Sequence, residues 1–477
     1  MEELHWWPAW QVAEAIAARR LSAREYLAAL VARIERYNPG LGLVVTIDER
    51  AVQWAVEADD AVLRGDRLGP LHGVAMTVKD ALATAGLRST GGMKELSGFT
   101  PREDATVVAR LRAAGAIVFG KTNLPAGSAD LQSYNDLFGT ARNPWNPDVS
   151  TSGSAGGGAG AVAAGFSAAE VGSDVAGSIR LPASACGVFG HRPSFGVVPM
   201  YGHMPPMPFK PTTTDMAVAG PLARSVTDLE TMLRIMVAPH PWDEAAWSVT
   251  LPASRKVRRV ATWLDDPYCP VDREVAAVLE RAASALAEQG VVVEPAHPLG
   301  VRLDASDRIF RQLLCGAASK DGATDPDDTR ERRARLGGEG AEASYQEWSD
   351  ANAARQRLRV RWREFFTRYD AILLPVAPNL AIEHDHRPFA DRRVSIDGQP
   401  RPYWDQAVWA GLTGVAYLPT TVVPAGLDAR GVPIGVAVAG PYLEDLTTLA
   451  AARLLATGLG PVGHPVLGEL ARVTTPL

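Results

Sequence analysis

The chain has 477 residues, 47% of them hydrophobic and 21% charged, with 35 prolines, 44 glycines and a formal net charge of -6. That length buries a substantial core without a disulfide or metal staple, and the proline and glycine content marks many tight turns rather than disorder. The acidic balance argues against a nucleic-acid partner: the densest basic cluster, Arg330 to Arg335, is broken by Glu331 and Ala334 and reads as a solvated helix face.

Met1-Glu-Glu-Leu-His-Trp-Trp is acidic and aromatic, unlike a secretion signal, and no apolar run reaches the roughly 18 residues of a membrane helix. Ser22-Ala-Arg-Glu25 is a capping box that opens a helix with Leu27, Leu30, Val31 and Ile34 on one face, and Asn38-Pro39-Gly40 is expected to stop it. A short apolar stretch, residues 43–47, precedes a helical pattern over 49–63, and the next predicted strand, 73–79, ends in Lys79. A helix over 105–113, a strand over 116–120, a Gly/Ala-rich helix over 156–165, a strand over 168–172 and a helix from about Ser178 follow. The theme returns with strands at 371–375, 420–423 and 434–439 and a helix at 445–455. This alternation predicts an α/β architecture with a sheet covered on both faces. Residues 258–368 are richer in charged helical segments, at 275–289 and 344–368, and no linker isolates them, so 1–477 reads as one domain with a helical elaboration. Cys186, Cys269 and Cys315 show no CxxC spacing and are expected to be buried packing residues of a reducing, cytoplasmic compartment.

The chemistry gathers around two serines. Ser154 and Ser178 fall in separate glycine-rich runs, 151–160 and 172–180. Glycine lets a backbone approach a substrate and aim consecutive N–H groups at one developing negative charge, so the second run is a candidate oxyanion hole. Lysine is scarce: Lys79, Lys94, Lys121, Lys210, Lys256 and Lys320 are the only ones. Desolvation at the end of an apolar strand would give Lys79 a neutral amine able to act as a general base, which arginine cannot supply. Taken alone it would read as a strand-end lysine reaching solvent. Ser-Lys pairs are an alternative to Ser-His-Asp. The chain has no G-x-S-x-G elbow, and His240, His297 and His464 lie beside prolines or in loops. His384 and His386, flanked by Glu383 and Asp385, lack HExxH or cysteine partners and read as a polar loop, not a metal site. Gly115-Ala-Ile-Val-Phe-Gly120-Lys121-Thr122 matches a phosphate-loop pattern, but its middle is itself the strand, leaving no cradle of exposed N–H groups.

These residues carry a family resemblance. Residues 73–80, the Gly-Ala-x-x-x-Gly-Lys-Thr-Asn run at 115–123, the approach at 138–147, the stretch 152–193, Gly220-Pro-Leu-Ala-Arg-Ser-Val-Thr-Asp228 and 411–440 together resemble the amidase signature family of serine hydrolases. The resemblance spans nearly the whole chain and implies a large, mixed, twisted central sheet. It also implies a triad in which Ser178 attacks an amide carbonyl and Ser154, on a cis peptide bond, passes the proton to Lys79. Backbone N–H groups of Val175, Ala176, Gly177 and Ser178 would form the oxyanion hole, with Asp174 and Arg180 bracing the turn. Gly127, Ser128, Met204 and Met207 are the expected substrate contacts, and the methionines suit aryl or hydrophobic acyl groups.

Three departures from the family pattern stand out: Ala155 follows Ser154 where a second serine is common, Ala176 stands for a glycine, and His191-Arg192 stands for an apolar-lysine pair. Ala176 can serve in the hole only if its position does not need positive φ. The expectation is therefore an amidase acting on a small-molecule linear amide, with no cofactor, metal, nucleic acid or membrane partner, and with homodimer formation left open. Two alternatives stand beside it: a glutaminase-type subunit feeding ammonia to a partner, and a noncatalytic binding protein on the same fold.

Overall fold

The structure, a computed structural model, describes residues 4–204, 214–318 and 344–468. After α1 (Ala9–Ala17), the predicted capping box opens α2 (Ala23–Leu41): Ser22 Oγ accepts from Glu25 N–H at 3.1 Å, and Glu25 Oε2 accepts from Ser22 N–H at 3.0 Å. Asn38-Pro39-Gly40 does not stop this helix, which runs through Pro39 to Leu41. A proline in the last turn forfeits little more than its own N–H bond, and the turn is made by Gly42 at φ 61, where a Cβ would sit 2.7 Å from the Thr140 carbonyl oxygen. Asn38 Oδ1 then accepts from Leu43 N–H at 2.8 Å and Val44 N–H at 3.0 Å, steering the chain into β1 (Val44–Ile47).

Next come α3 (Ala51–Arg64), β2 (Ala75–Lys79), α4 (Thr106–Ala113), β3 (Ile117–Thr122), the small pair β4 (Tyr134–Asn135) and β5 (Gly139–Thr140), α5 (Gly156–Ala163), β6 (Ala169–Asp174), α6 (Arg180–Cys186), β7 (Phe189–Arg192), β8 (Val218–Ala223) and α7 (Val226–Met236). The stretch 258–368 is more than a helical elaboration. Besides α8 (Arg273–Glu288), α9 (Leu303–Ala318) and α10 (Tyr345–Phe365), it supplies β9 (Arg259–Thr262) and β10 (Val292–Pro295) to the central sheet. Each of these strands is four residues long, and Val292 of β10 is exposed, so neither carries a periodic signal. Then follow β11 (Ala371–Pro375), the hairpin β12 (Arg393–Ile396) and β13 (Gln399–Pro402), α11 (Val408–Val415), β14 (Thr420–Leu427), β15 (Pro433–Ala439) and α12 (Asp445–Leu459).

Eleven strands form one mixed sheet in the order β1-β3-β2-β6-β8-β7-β14-β15-β11-β9-β10. β2 runs parallel to β3 and β6, and β9 runs parallel to β10 and β11, while the other neighbours are antiparallel. Helices cover both faces: α4, α7, α12 and α8 pack one against the next in a row, and α5 with α6 forms a second group. The buried parallel trio β3-β2-β6 is fastened by one side chain. Glu170 of β6 accepts from Thr77 Oγ1 of β2 at 2.5 Å and from Thr122 Oγ1 of β3 at 2.8 Å, and burial pushes its carboxyl up to about 7. The glycine-rich α5 closes directly over this joint, since a Cβ on Gly158 would lie 2.5 Å from Glu170 Cγ.

Candidate active site

The register of β2 on β6, Thr77 beside Glu170 and Val78 beside Val171, brings Lys79 at the end of β2 alongside the last residues of β6, which lead into the glycine-rich turn. Lys79 is fully buried, not reaching solvent. Its Nζ donates to Ser154 Oγ at 2.7 Å and to Ser173 Oγ at 3.0 Å. Burial lowers the amine to about 7, outweighing the Asp174 and Glu170 carboxylates that raise it. A substantial neutral fraction is therefore present near neutral pH.

Ser154 follows a cis Gly153–Ser154 peptide bond and leads directly into α5. Ser133 Oγ braces this turn, accepting from Gly156 N–H at 3.0 Å and donating to the Ser152 carbonyl at 3.0 Å. The Ala155 N–H donates to the Ser178 carbonyl at 3.0 Å, so the two serine-bearing turns are clasped backbone to backbone. Ser178 is 9% exposed, and among the described residues its hydroxyl makes no hydrogen bond. The Ala155 methyl lies close over Gly172, where an added Cβ would meet it at 3.1 Å.

Asp174 and Arg180 form the expected bracing pair, but buried: Arg180 Nε and an Nη reach the carboxylate at 2.9 and 2.8 Å. Arg192, the departure from the family's lysine, adds Nε at 3.7 Å and donates to the Leu418 and Met216 carbonyls at 3.1 and 2.9 Å. Burial alone would raise the Asp174 carboxyl, yet Arg180 and Arg192 hold it well below the usual range. The neighbouring His191 bridges Thr421 Oγ1 at 2.9 Å and Asp445 Oδ1 at 3.2 Å, an interior link between β7, β14 and α12.

Asp174 also organises the turn. Gly177 N–H donates to its Oδ1 at 2.9 Å and Ile179 N–H to its Oδ2 at 3.1 Å. The Gly177 N–H is therefore engaged, which removes it from the expected set of four donors. Among the described residues, the N–H groups of Val175, Ala176 and Ser178 have no acceptor. Ala176 is not at positive φ, so its methyl is tolerated, whereas Gly177 at φ 103 needs glycine.

The expected substrate contacts are partly brought together. Ser128 and Met204 both hold left-handed backbone, at φ 58 and 63, and Ser128 Oγ lies 3.8 Å from Met204 Sδ. Gly127, at φ 62, donates its N–H to the Gly91 carbonyl at 2.9 Å. Met207 lies outside the described residues. Lys121 is buried within β3, donating to the Leu82 carbonyl and to Thr84 Oγ1. His384 contacts the Pro147 carbonyl at 3.1 Å and His386 stacks on Tyr134. All three cysteines are buried, as expected of packing residues, and none is in a disulfide.

Two polar groups at the site escaped the sequence reading. Ser173 sits beside Asp174, hidden inside a strand, and His203 reaches Ser173 Oγ with Nε2 at 2.9 Å from an otherwise apolar loop. The only available signal was their closeness to the glycine-rich run and to Met204.

The Amidase family model matches residues 25–449, and the chain belongs to this family, the amidase signature enzymes. It is 32% identical to a glutamyl-tRNA(Gln) amidotransferase subunit of Thermus thermophilus, covering 92% of this chain and 94% of that protein. It is 31% identical to the acylamidase of Rhodococcus erythropolis, covering 94% and 95%. Among solved structures it resembles 6-aminohexanoate cyclic dimer hydrolase, with a TM-score of 0.80 at 26% identity over 98% of this chain and 100% of the other. A bacterial aryl acylamidase shares the fold with a TM-score of 0.80 at 24% identity, covering 99% and 100%. The protein is thus an amidase-signature hydrolase. No helix among the described residues is long and apolar enough to cross a membrane.

Proposed function

We propose that the protein hydrolyses the C–N bond of a small-molecule carboxamide through an acyl-enzyme on Ser178. As Ser178 Oγ bonds to the carbonyl carbon, its proton passes to Ser154 Oγ, whose own proton passes to neutral Lys79, and the carbonyl π pair moves onto oxygen. The N–H groups of Val175, Ala176 and Ser178 receive that charge, while Asp174 holds Gly177 and so fixes the turn. Collapse expels the amine or ammonia with the returned proton, and water repeats the sequence to release the carboxylic acid. Ser128 and Met204 line the approach in this reading, which suits an aryl or hydrophobic acyl group.

The observation that carries the reading is the 2.7 Å contact between Ser154 and a buried lysine lowered to about 7. The test is mass-spectrometric mapping of the residue labelled by a fluorophosphonate probe. Labelling at Ser178 that is lost in Lys79→Ala supports it; undiminished labelling of that variant refutes it. Relatives named as amidotransferase subunits match as well as the acylamidase does, so a glutaminase-type subunit is the second reading. Amide turnover by the purified single chain, with no partner added, separates the two.

A further inference from the structure

Residues 81–83, just past Lys79, are laced to 202–204. Met204 N–H donates to the Ala81 carbonyl at 2.7 Å, Ala83 N–H donates to the Gly202 carbonyl at 2.9 Å, and Leu82 and His203 form an antiparallel bridge. This lacing aims the half-buried His203 imidazole at the rear of the site. His203 Nε2 lies 2.9 Å from Ser173 Oγ, Ser173 Oγ lies 3.0 Å from Lys79 Nζ, and Nζ lies 2.7 Å from Ser154 Oγ. Four side chains thus form one line, with the lysine between the two serines.

A hydroxyl has one proton and a neutral amine has one lone pair, so the line has a direction. If Ser173 donates to Nζ, the lone pair is consumed, Lys79 must donate to Ser154, and the order opposes proton uptake. If Ser173 gives its proton to His203, it accepts from Lys79 and leaves the lone pair for Ser154. The second order also suits the ammonium formed after uptake, which needs an acceptor on each side.

We propose that His203 is a positioning residue that sets this direction, its Nε2 accepting the Ser173 hydroxyl so that the free amine of Lys79 faces Ser154. The inference rests on the Ser178–Ser154–Lys79 reading above. Burial and the Lys79 charge lower His203 to about 3, so the ring is neutral and able to accept across the range in which Lys79 titrates.

The experiment measures the fluorophosphonate labelling rate of Ser178 in wild type, His203→Phe, Ser173→Ala and the double variant, with thermal midpoints recorded for each. His203→Phe removes the acceptor and lets Ser173 donate to Nζ. Its rate is expected to fall about three- to tenfold, the cost of breaking one competing hydrogen bond. Adding Ser173→Ala removes the wrong donor, so the double variant is expected to label faster than His203→Phe alone. A purely structural role for His203 gives additive losses instead. Additive losses, or His203→Phe at the wild-type rate, overturn the proposal.

If His203→Phe fails to fold, two measurements decide. His203→Gln keeps an acceptor and is expected to stay within about threefold of wild type. The 15N shifts of selectively labelled histidine in the wild-type protein are expected to report the Nδ1–H tautomer of His203; an Nε2–H tautomer overturns the proposal. Lys79→Ala run alongside tests the underlying triad separately: if that variant labels normally, the triad reading fails whatever His203 does.

Discussion

The lowered Lys79 amine makes a quantitative demand on the pH dependence of acylation. With the group titrating at about 7, the Ser178 labelling rate should rise through neutrality and level off above it. At about pH 5 only about 1% of the amine is neutral, so labelling should run roughly 100-fold below its plateau. Lys79→Met, which fills the buried slot without a base, should lose about two to four orders of magnitude and show no step near neutrality. The same group leaves a mark on stability. Between about pH 7 and its ordinary value of 10.5 the unfolded chain holds a proton that the folded chain has shed, so stability from this group rises with pH across that window. The unfolding free energy of wild type minus that of Lys79→Met should grow by about 2 kcal/mol from roughly pH 7 to pH 9 and be flat below about pH 6. Urea unfolding followed by tryptophan fluorescence reads this, because titrating groups that do not interact with Lys79 cancel in the difference. A labelling profile that climbs only above about pH 9, with a flat stability difference, would refute the desolvation argument.

Other expected outcomes follow from the turn around Ser178. Gly177→Ala forces φ 103 on an alanine and brings its Cβ to 3.0 Å from Ala410 Cβ and Leu181 Cγ. It should cost about 1–3 kcal/mol in chemical denaturation and slow labelling more than the stability loss explains. Asp174→Asn leaves Arg180 and Arg192 buried without a carboxylate and should cost about 3–5 kcal/mol, seen as a lower thermal midpoint. Met204→Ala should change kcat/KM for bulky acyl amides by about tenfold while leaving labelling by a small fluorophosphonate almost unchanged, which steady-state kinetics with a substrate series would check.

The strands that place Lys79, Lys121 and Asp174 were legible because buried parallel strands read as short apolar runs between turn signals. The capping box at Ser22 and the glycine-rich turns were legible because each requires particular residues for a local reason. Less legible were features decided by tertiary contact. Pro39 stays helical because Gly42, not Pro39, makes the turn, and β9 and β10 exist only by virtue of their neighbours in the sheet. Burial of the Asp174–Arg180 pair and the approach of His203 depend on contacts between distant segments, whereas the Gly177 N–H is taken up by Asp174 only three residues earlier, through a turn geometry that the residue types alone do not set.

Glu170 touches none of the reacting groups, yet it acts as a dowel driven through three planks. By taking one hydroxyl from β2 and one from β3, it forbids those strands to slide along β6. Sliding by a single residue would turn Lys79 to the opposite side of the sheet. The alignment of lysine and serine is therefore inherited from a joint buried below them, and the chemistry is only as exact as that carpentry.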